Sequence, residues 1–332
     1  MSTLTLGTMT FGKETDEEAA HAQLDEFVEA GGILIDTADV YNGGVSEQII
    51  GRWLSRRPMS VRERVVLASK GRFPTGGAPN DVGLSRRHLA HALDASLTRL
   101  GVDRIDLYQV HAYDPHTPLE ETLTFLNDAV QAGKIAYVGL SNFTGWQLQR
   151  AVDVAQFRQL SPPVTLQPQY NLLVREVEWE IVPAAAANGL GLLPWSPLGG
   201  GWLTGKYTRE QRPSGATRLG EDPDRGVEAY DRRNSAQRTW DVVECVRGVA
   251  KDRGVPMAQV ALAWLVDRPT VTSVILGART VEQLRDNLGA ADLHLSDAEA
   301  ARLDQASDPA AADYPYGGSG LQQRSRNIEG GR

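Results

Sequence analysis

Three ionisable side chains stand at the ends of successive apolar segments, and a tyrosine follows the first of them. Asp36, Lys70 and His111 each close such a segment, and Tyr41 lies five positions after Asp36. A phenol with its ordinary pKa of about 10 exchanges protons poorly at neutral pH, whereas a neighbouring ammonium group stabilises the phenolate and lowers that pKa. A carboxylate beside the lysine would keep it charged, and a neutral histidine would hydrogen-bond a substrate oxygen. The four groups therefore predict protonation of an alkoxide that forms from a carbonyl.

Each of these groups also has an ordinary structural role. Asp36 alone could cap a loop or form a buried salt bridge, and Tyr41 could pack at a rim. Lys70 could carry its ammonium group to the surface at a strand end, and His111 could be a hydrogen-bonded core residue. The catalytic interpretation therefore depends on all four groups meeting in space.

Alternating short and long apolar patterns describe the elements that must bring these groups together. Eight short apolar segments predict strands at residues 4–6, 33–36, 65–70, 105–111, 135–141, 165–169, 190–195 and 274–276. Longer amphipathic segments predict helices at residues 16–30, 46–56, 85–100, 118–132, 144–157, 176–188, 236–253, 257–267, 281–288 and 296–306. Strands that are apolar over nearly their whole length are typical of a parallel sheet buried on both faces.

This alternation predicts the α/β class and a closed (β/α)8 TIM barrel that spans residues 1–332 as a single domain. An open doubly wound sheet is the alternative, but it usually carries a glycine-rich dinucleotide fingerprint after the first strand. Residues 7–12 have the sequence GTMTFG, which does not match that fingerprint. The catalytic groups of a barrel lie at the carboxyl ends of its strands, where Asp36, Lys70 and His111 are expected.

Two long segments are the natural lids over that end of the barrel. Residues 199–234 follow the seventh predicted strand and are mainly polar, and residues 308–332 form a C-terminal tail that carries Pro, Gly, Gln and Arg. Long insertions at a catalytic rim are usually functional. Either segment could instead be disordered surface, and we expect the tail to have little structure of its own.

Composition excludes several classes of function. The formal net charge is −8, so we expect no nucleic acid partner. The single cysteine, Cys245, forms no disulfide within the chain, and no zinc-ligand spacing occurs, so we expect no metal. No apolar run approaches the roughly 20 residues of a membrane-spanning helix, and residues 1–12 lack a signal-peptide pattern. We therefore expect a cytoplasmic protein with no membrane partner.

The order of several motifs resembles the aldo-keto reductase superfamily. In chain order these motifs are IDTADVY at 35–41 followed by Ser46-Glu47, VVLASKG at 65–71, IDLYQVH at 105–111, VGLSNF at 138–143, WSPLG at 195–199 and GAR at 277–279. The match runs from about residue 6 to residue 290, and the set is far more specific than any one motif.

This resemblance implies a role for each of the four groups. Tyr41 would be the general acid in reduction and the base in oxidation, and Lys70, paired with Asp36, would depress its pKa. His111 would help to bind and polarise the carbonyl. The implied activity is hydride transfer between NADP(H) and the carbonyl of a small aldehyde or ketone. The alternative is a cofactor-binding regulatory subunit with little turnover, against which the intact set of four groups argues.

The resemblance also implies which residues hold the cofactor. The implied contacts at the first two strands are Thr8, Met9 and Asp36. Those that would hold the nicotinamide carboxamide are Ser141, Asn142 and Gln167, and Trp195 would stack on the nicotinamide ring. Those that would border the pyrophosphate are Ser196, Pro197, Leu198, Gly199, Gly201, Leu203 and Lys206. Those at the adenosine end would be Gly277, Ala278, Arg279, Gln283 and Asn287.

Elementary chemistry agrees with part of this assignment. Glycines allow the backbone to approach phosphate oxygens, and Lys206 adds a positive charge. Arg279 at a helix N-terminus is well placed for a 2′-phosphate, which favours NADP(H) over NAD(H). Trp195 stands where the family usually has tyrosine or another aromatic residue, and Gln169 where related sequences often have glutamate. The sequence indicates neither the particular carbonyl substrate nor an oligomeric state.

Overall fold

Eight parallel strands surround the centre of the molecule. The computed structural model describes residues 1–215, 217–224 and 226–325. Its strands are β1 (Leu4–Gly7), β2 (Leu34–Asp36), β3 (Val66–Gly71), β4 (Ile105–Val110), β5 (Ile135–Ser141), β6 (Pro163–Gln167), β7 (Gly191–Leu192) and β8 (Val274–Leu276). They lie side by side in chain order, with β8 next to β1.

Backbone hydrogen bonds also join the two ends of this series. The carbonyl of Leu192 in β7 accepts from the amide of Thr272 at 2.9 Å, and the amide of Ile275 in β8 donates to the carbonyl of Pro194 at 3.0 Å. Each strand therefore has a neighbour on both sides, and the sheet closes into a barrel. The predicted (β/α)8 barrel is confirmed.

Helices pack around the outside of this barrel. The α-helices are α1 (Glu17–Glu29), α2 (Val45–Ser55), α3 (Met59–Arg62), α4 (Arg86–Leu100), α5 (Leu119–Gln131), α6 (Gly145–Phe157), α7 (Val177–Ala187), α8 (Arg218–Glu221), α9 (Tyr230–Asn234), α10 (Gln237–Arg253), α11 (Met257–Val266), α12 (Val281–Leu288), α13 (Asp297–Ala306) and α14 (Gly318–Arg324). Short 3-10 turns lie at Tyr41–Gly44, Gly199–Thr204, Gly226–Glu228 and Gly289–Asp292. Within the described ranges, none of these helices is long and apolar enough to cross a membrane.

The sequence predicts the helix ends well, because each cap is formed by residues next to the end of the helix. The side chain of Ser85 accepts a hydrogen bond from the His88 amide and begins α4. Gly101 ends the same helix with φ of 66°, a conformation that suits glycine.

The predicted bounds of the sixth and seventh strands are wrong. β6 begins at Pro163 and ends at Gln167, not at residues 165–169, because proline is tolerated as the first residue of a strand. β7 covers two residues where 190–195 was predicted. Pro194 has no N–H group to donate, so the ladder is interrupted before Trp195 bridges to Gln169.

The core has two parts. Inside the barrel, one small layer consists of Leu34, Ala68, Leu107, Leu193 and Ile275. A larger apolar layer lies between the strands and the surrounding helices. Small and branched side chains fill the barrel, so chemistry is confined to its rim.

Residues 199–234, which we call the strap, are anchored over that rim. Its buried aromatic and leucine side chains are Trp202, Leu203, Tyr207, Leu219 and Tyr230. Residues 216 and 225 lie outside the described part. These buried side chains anchor the strap on both sides of residues 208–215, which are mostly exposed.

The C-terminal tail has more structure than predicted. Residues 318–324 form α14, and the ring of Tyr316 stacks on Trp179 with centroids 5.4 Å apart. The sequence of this helix has no apolar periodicity from which it could be predicted. The aromatic contact with α7 is made by Tyr316, just before the helix, and not by an apolar helix face. Residues 326–332 of the predicted tail lie outside the described residues.

Candidate active site

The four ionisable groups meet at the carboxyl end of the barrel. The Lys70 ammonium nitrogen donates to Asp36 Oδ2 at 2.6 Å and to the carbonyl of Thr37 at 2.8 Å, and it lies 3.3 Å from Tyr41 Oη. His111 follows β4 directly, and its amide donates to the carbonyl of Gly71 at 3.2 Å. The juxtaposition predicted from the strand ends is therefore present.

Asp36 and Lys70 form an almost completely buried ion pair. Their side chains are 4% and 0% exposed. Burial acts to lower the pKa of Lys70, but the charge and hydrogen bond of Asp36, together with Tyr41, outweigh it and raise the pKa. Lys70 therefore stays charged beside the phenol at neutral pH.

The predicted depression of the Tyr41 pKa is wrong in its net direction. Burial raises the pKa of the phenol above its ordinary value, and Lys70 only opposes that rise. Desolvation of the phenolate outweighs one ammonium group whose charge is already shared with Asp36. Tyr41 therefore holds its proton at neutral pH, which is the state that a proton donor needs.

His111 is neutral, as predicted. Burial, with help from the cations Lys70 and Arg72, lowers the pKa of its imidazole to about 2. Its ring lies edge-on to Tyr41, with centroids 5.9 Å apart, and 4.5 Å from the ring of Phe73. The buried Nδ1 atom has no hydrogen-bond partner among the described residues. We assign the proton to Nε2, because an unpaired buried acceptor costs less than an unpaired buried donor.

Two glutamines complete the surroundings of Asp36. Gln109 and Gln167 donate to Asp36 Oδ1 at 3.0 and 2.9 Å, and Gln167 also donates to Gln109 Oε1. Sequence reasoning missed Gln109, although its position two residues before His111 puts both on the same face of β4. Gln167, also expected on a carboxamide, uses its amide nitrogen to hold Asp36 and Gln109.

The other expected carboxamide residues lie beside this cluster. Ser141 ends β5, and its hydroxyl donates to the carbonyl of Gln167 at 3.0 Å. The Asn142 amide donates to the carbonyl of His111, and its oxygen accepts from the Trp195 indole at 3.0 Å. Asn142 and Ser196 have φ values of 55° and 54°, a conformation that non-glycine residues adopt at a cost of about 1–3 kcal/mol. Such strain on both sides of Trp195 is typical of a functional site.

Glycines shape the segment expected to border a pyrophosphate. Gly199, Gly200 and Gly201 have φ values of 57°, 67° and 98°, which favour glycine. A Cβ atom at Gly201 would lie 2.4 Å from Lys206 Cε, so a larger residue would displace that cation. Of the remaining expected residues here, Ser196 and Leu198 are partly exposed, whereas Pro197 and Leu203 are buried.

Sequence reasoning missed Glu228 in this segment. Its buried carboxylate accepts from Gln169 at 2.5 Å, from Ser196 at 3.4 Å and from Arg233 at 3.2 Å. The Glu228 carboxylate therefore lies next to Gln169, the position at which the family resemblance implies a glutamate. Glu228 lies beside Gln169 only because of the path of the strap in the folded chain. No local sequence pattern could therefore have predicted this contact.

The expected adenosine-end residues gather at the start of α12. Gln283 accepts from the Arg279 amide at 3.0 Å, and Asn287 is buried one turn further along. Gly277 is exposed and Ala278 is buried, and the Ala278 carbonyl accepts from Thr10 at 3.2 Å.

The two expected residues near β1 differ in their surroundings. The hydroxyl of Thr8 is buried and donates to the carbonyl of Asp36 at 3.0 Å. Met9 is partly exposed at the rim.

These groups fit an anionic dinucleotide. Lys206 and Arg279 provide positive charge at one end, the glycine-rich turn provides close backbone approach, and Trp195 provides an aromatic face. His111, neutral and with an unpaired ring nitrogen, lies at the other end beside Tyr41. No group of His, Cys, Asp and Glu suited to a metal ion occurs in the described part of the chain.

Comparison with known proteins agrees with this geometry. The model of the Aldo/keto reductase family matches residues 3–308. A protein of Bacillus subtilis (strain 168) described as "Uncharacterized oxidoreductase YrpG" is 39% identical over 303 residues, 89% of each chain. A "Probable voltage-gated potassium channel subunit beta" of Oryza sativa subsp. japonica is 38% identical over 291 residues, 86% of this chain and 85% of that protein. The "Versiconal hemiacetal acetate reductase" of Aspergillus parasiticus is 31% identical over 334 residues, 94% and 95% of the two chains.

Proposed function

This chain belongs to the aldo/keto reductase family, and from that premise we propose that it transfers hydride between NADP(H) and the carbonyl of an aldehyde or ketone, with Tyr41 as the proton donor. Membership itself makes the chain an oxidoreductase of the nicotinamide-dependent class, as the motifs predicted. The observation that supports the finer proposal is the contact of Lys70 with both Asp36 and Tyr41.

The four groups divide the proton chemistry of reduction between them. When bound, the cofactor supplies the hydride that the carbonyl carbon accepts. Tyr41 donates its proton to the carbonyl oxygen as negative charge develops there. The Lys70 ammonium then stabilises the phenolate, and Asp36 keeps Lys70 charged and in place. Neutral His111 donates a hydrogen bond to the same oxygen and orients it.

The preference for NADP(H) rests on the positive groups at the adenosine end. Arg279 carries a permanent charge and a planar set of donors suited to phosphate. Its position directly before the N-cap Thr280 of α12 adds the positive end of the helix dipole. A 2′-phosphate would satisfy both features, whereas a 2′-hydroxyl would satisfy neither.

Replacement of Tyr41 by phenylalanine tests the proposed proton donor. We expect Tyr41→Phe to lower kcat for aldehyde reduction at least about 1,000-fold, within the range of general acid catalysis. The dissociation constant for NADPH, measured by quenching of tryptophan fluorescence, should stay within about twofold. Tyr113→Phe is the matched control, because Tyr113 packs on Phe143 and Trp146 at the same rim and should leave kcat unchanged. Undiminished turnover in Tyr41→Phe would reject the mechanism.

A regulatory subunit with little turnover is the second candidate. The observation in its favour is the similarity to the potassium channel β subunit of rice. A panel of aldehydes and ketones, followed by loss of NADPH absorbance, separates the two candidates. Tight NADPH binding without oxidation by any carbonyl would favour the subunit, and turnover that depends on Tyr41 would favour the enzyme.

A further inference from the structure

The strap places a carboxylate on the arginine expected to bind a cofactor phosphate. Arg279 Nη1 and Nη2 donate to the two carboxylate oxygens of Glu221 at 2.8 and 3.0 Å. Glu221 ends α8, and its side chain is 45% exposed, whereas that of Arg279 is 19% exposed. This bidentate geometry is also the one by which arginine binds a phosphate.

Other charges of the site surround this pair. Glu14 Oε1 lies 3.8 Å from Arg279 Nη2, and its side chain is 7% exposed. Burial is the main cause that lowers the pKa of Lys206. The nearby charges of Arg279 and Arg218 lower it further. The Glu221 carboxylate thus lies on a cationic surface that spans the strap and the start of α12.

We propose that Glu221 competes with the 2′-phosphate of NADP(H) for Arg279, and that the strap thereby sets the balance between NADP(H) and NAD(H). This inference rests on the proposed function, which brings a nicotinamide dinucleotide to this site. The guanidinium group cannot present its Nη1 and Nη2 donors to two anions in the same plane at once. In this proposal the 2′-phosphate takes the same Nη1 and Nη2 donors, so binding of NADP(H) exchanges Glu221 for the phosphate, whereas binding of NAD(H) leaves the Glu221 ion pair in place.

The exchange has a definite sign. Breaking an ion pair with an exposed carboxylate costs part of the gain from binding a phosphate, so Glu221 lowers the affinity for NADP(H) only. Glu14 also lies beside Arg279 and would repel a 2′-phosphate, but this effect stays constant when only residue 221 is changed. Glu221 is accordingly a residue that determines specificity.

Replacement of Glu221 by the neutral isostere tests this competition through binding alone. We expect Glu221→Gln to lower the dissociation constant of NADPH about three- to fivefold, measured by tryptophan fluorescence quenching, and to leave that of NADH within about twofold. Adenosine 2′,5′-bisphosphate should follow NADPH, and adenosine 5′-monophosphate should follow NADH. Glu210→Gln, an exposed glutamate in the same segment, should change neither.

A double-mutant cycle with Arg279 distinguishes competition from a general effect of charge. In an Arg279→Gln background, Glu221→Gln should have no further effect on the ratio of NADPH to NADH affinity. Equal weakening of both cofactors by Glu221→Gln would overturn the inference, because the ion pair would then be a latch that stays closed over either cofactor. An unchanged ratio would overturn it as well. Failure of the unmodified protein to bind either dinucleotide would reject the proposed function together with it.

Discussion

Two side chains that follow β2, Asp39 and Tyr41, have pKa values raised by burial. Tyr41 and Lys70 are adjacent, as their strand positions predict, yet the Tyr41 pKa rises because desolvation exceeds the attraction of the ammonium. Residue types and spacing could predict the contact, since parallel strands end at one rim. They could not predict the net direction of the pKa, because it depends on how completely water is excluded.

Asp39 shows the same dominance of burial without a compensating partner. Its side chain is buried, and neither carboxylate oxygen has a hydrogen-bond partner in the part of the chain described. Burial, followed by repulsion from Glu47, raises its pKa to about 7, against opposition from Arg99, the nearby Val40 amide and Lys70. The neighbouring Tyr108 hydroxyl is also buried and unpaired within the described residues, so it gives Asp39 no relief.

This carboxyl group makes the stability of the protein depend on pH. The folded-state pKa of about 7 lies above the ordinary 3.8, so the folded state binds the proton more tightly. The stabilisation is complete below about pH 4 and is lost as the pH rises through 7, by at most about 4 kcal/mol. We expect the free energy of unfolding of Asp39→Asn, measured by urea titration from pH 5 to 8, to fall less steeply than that of the unmodified protein.

A surface carboxylate provides the comparison for Asp39. Asp103 is exposed, so Asp103→Asn should keep the original slope of stability against pH. If Asp39→Asn keeps that slope too, then Asp39 does not titrate in this range.

At the scale of elements, the strap combines a polar sequence with an aromatic anchor. Trp202 is 1% exposed, and its ring stacks on Tyr230 with centroids 5.5 Å apart and meets Tyr207 and Trp240 edge-on. Its indole N–H donates to the carbonyl of Glu228 at 3.0 Å. The length and polarity of residues 199–234 suffice to predict a lid. The four aromatic residues are spread over residues 202–240 and meet only in the folded state. The sequence therefore could not predict this anchor or the carboxylates that it positions.

Removal of this anchor should open the strap before the barrel unfolds. Trp202→Ala leaves a cavity whose cost is about 3–5 kcal/mol, and it removes the ring against which Tyr207 and Tyr230 pack. We expect trypsin to cleave the variant rapidly after Lys206 or Arg209, with fragments identified by mass spectrometry. Trp146→Ala, which removes an exposed indole, should be cleaved no faster than the unmodified protein. Equal resistance of the two variants would contradict the anchoring role.

At the scale of the whole molecule, the sequence predicts the barrel because the parallel strands of the barrel are continuous apolar runs. β5 could be recognised in this way, whereas β7 could not be bounded, since Pro194 interrupts its ladder. The closure between β7 and β8 depends on residues about 80 positions apart and leaves no local pattern. The prediction of a closed barrel depends instead on the number and order of the eight strand–helix units.

The helix α13 fastens the last part of the chain to this barrel through charged and aromatic contacts. Asp304 accepts from the Trp264 indole at 2.8 Å and from Arg268 at 3.0 Å. Arg175 donates to the carbonyl of Asp304 at 2.8 Å and to the Ser307 hydroxyl at 2.9 Å. Loss of α13 would leave two partly buried guanidinium groups without these partners and would expose the apolar face that α13 covers.

Two truncated chains should therefore behave very differently. A chain that ends at Asp308 keeps α13 and the whole family match, and it loses the stacking of Tyr316 on Trp179, so we expect its midpoint of thermal unfolding to fall by only a few degrees. A chain that ends at Leu295 lacks α13 and should lose cooperative unfolding, measured by circular dichroism during heating. Asp304→Asn in the complete chain should lie between them, because it weakens the contacts with Arg268 and Trp264 without uncovering the apolar face. A cooperative transition in the shorter chain, close to that of the longer one, would show that the barrel is stable without α13.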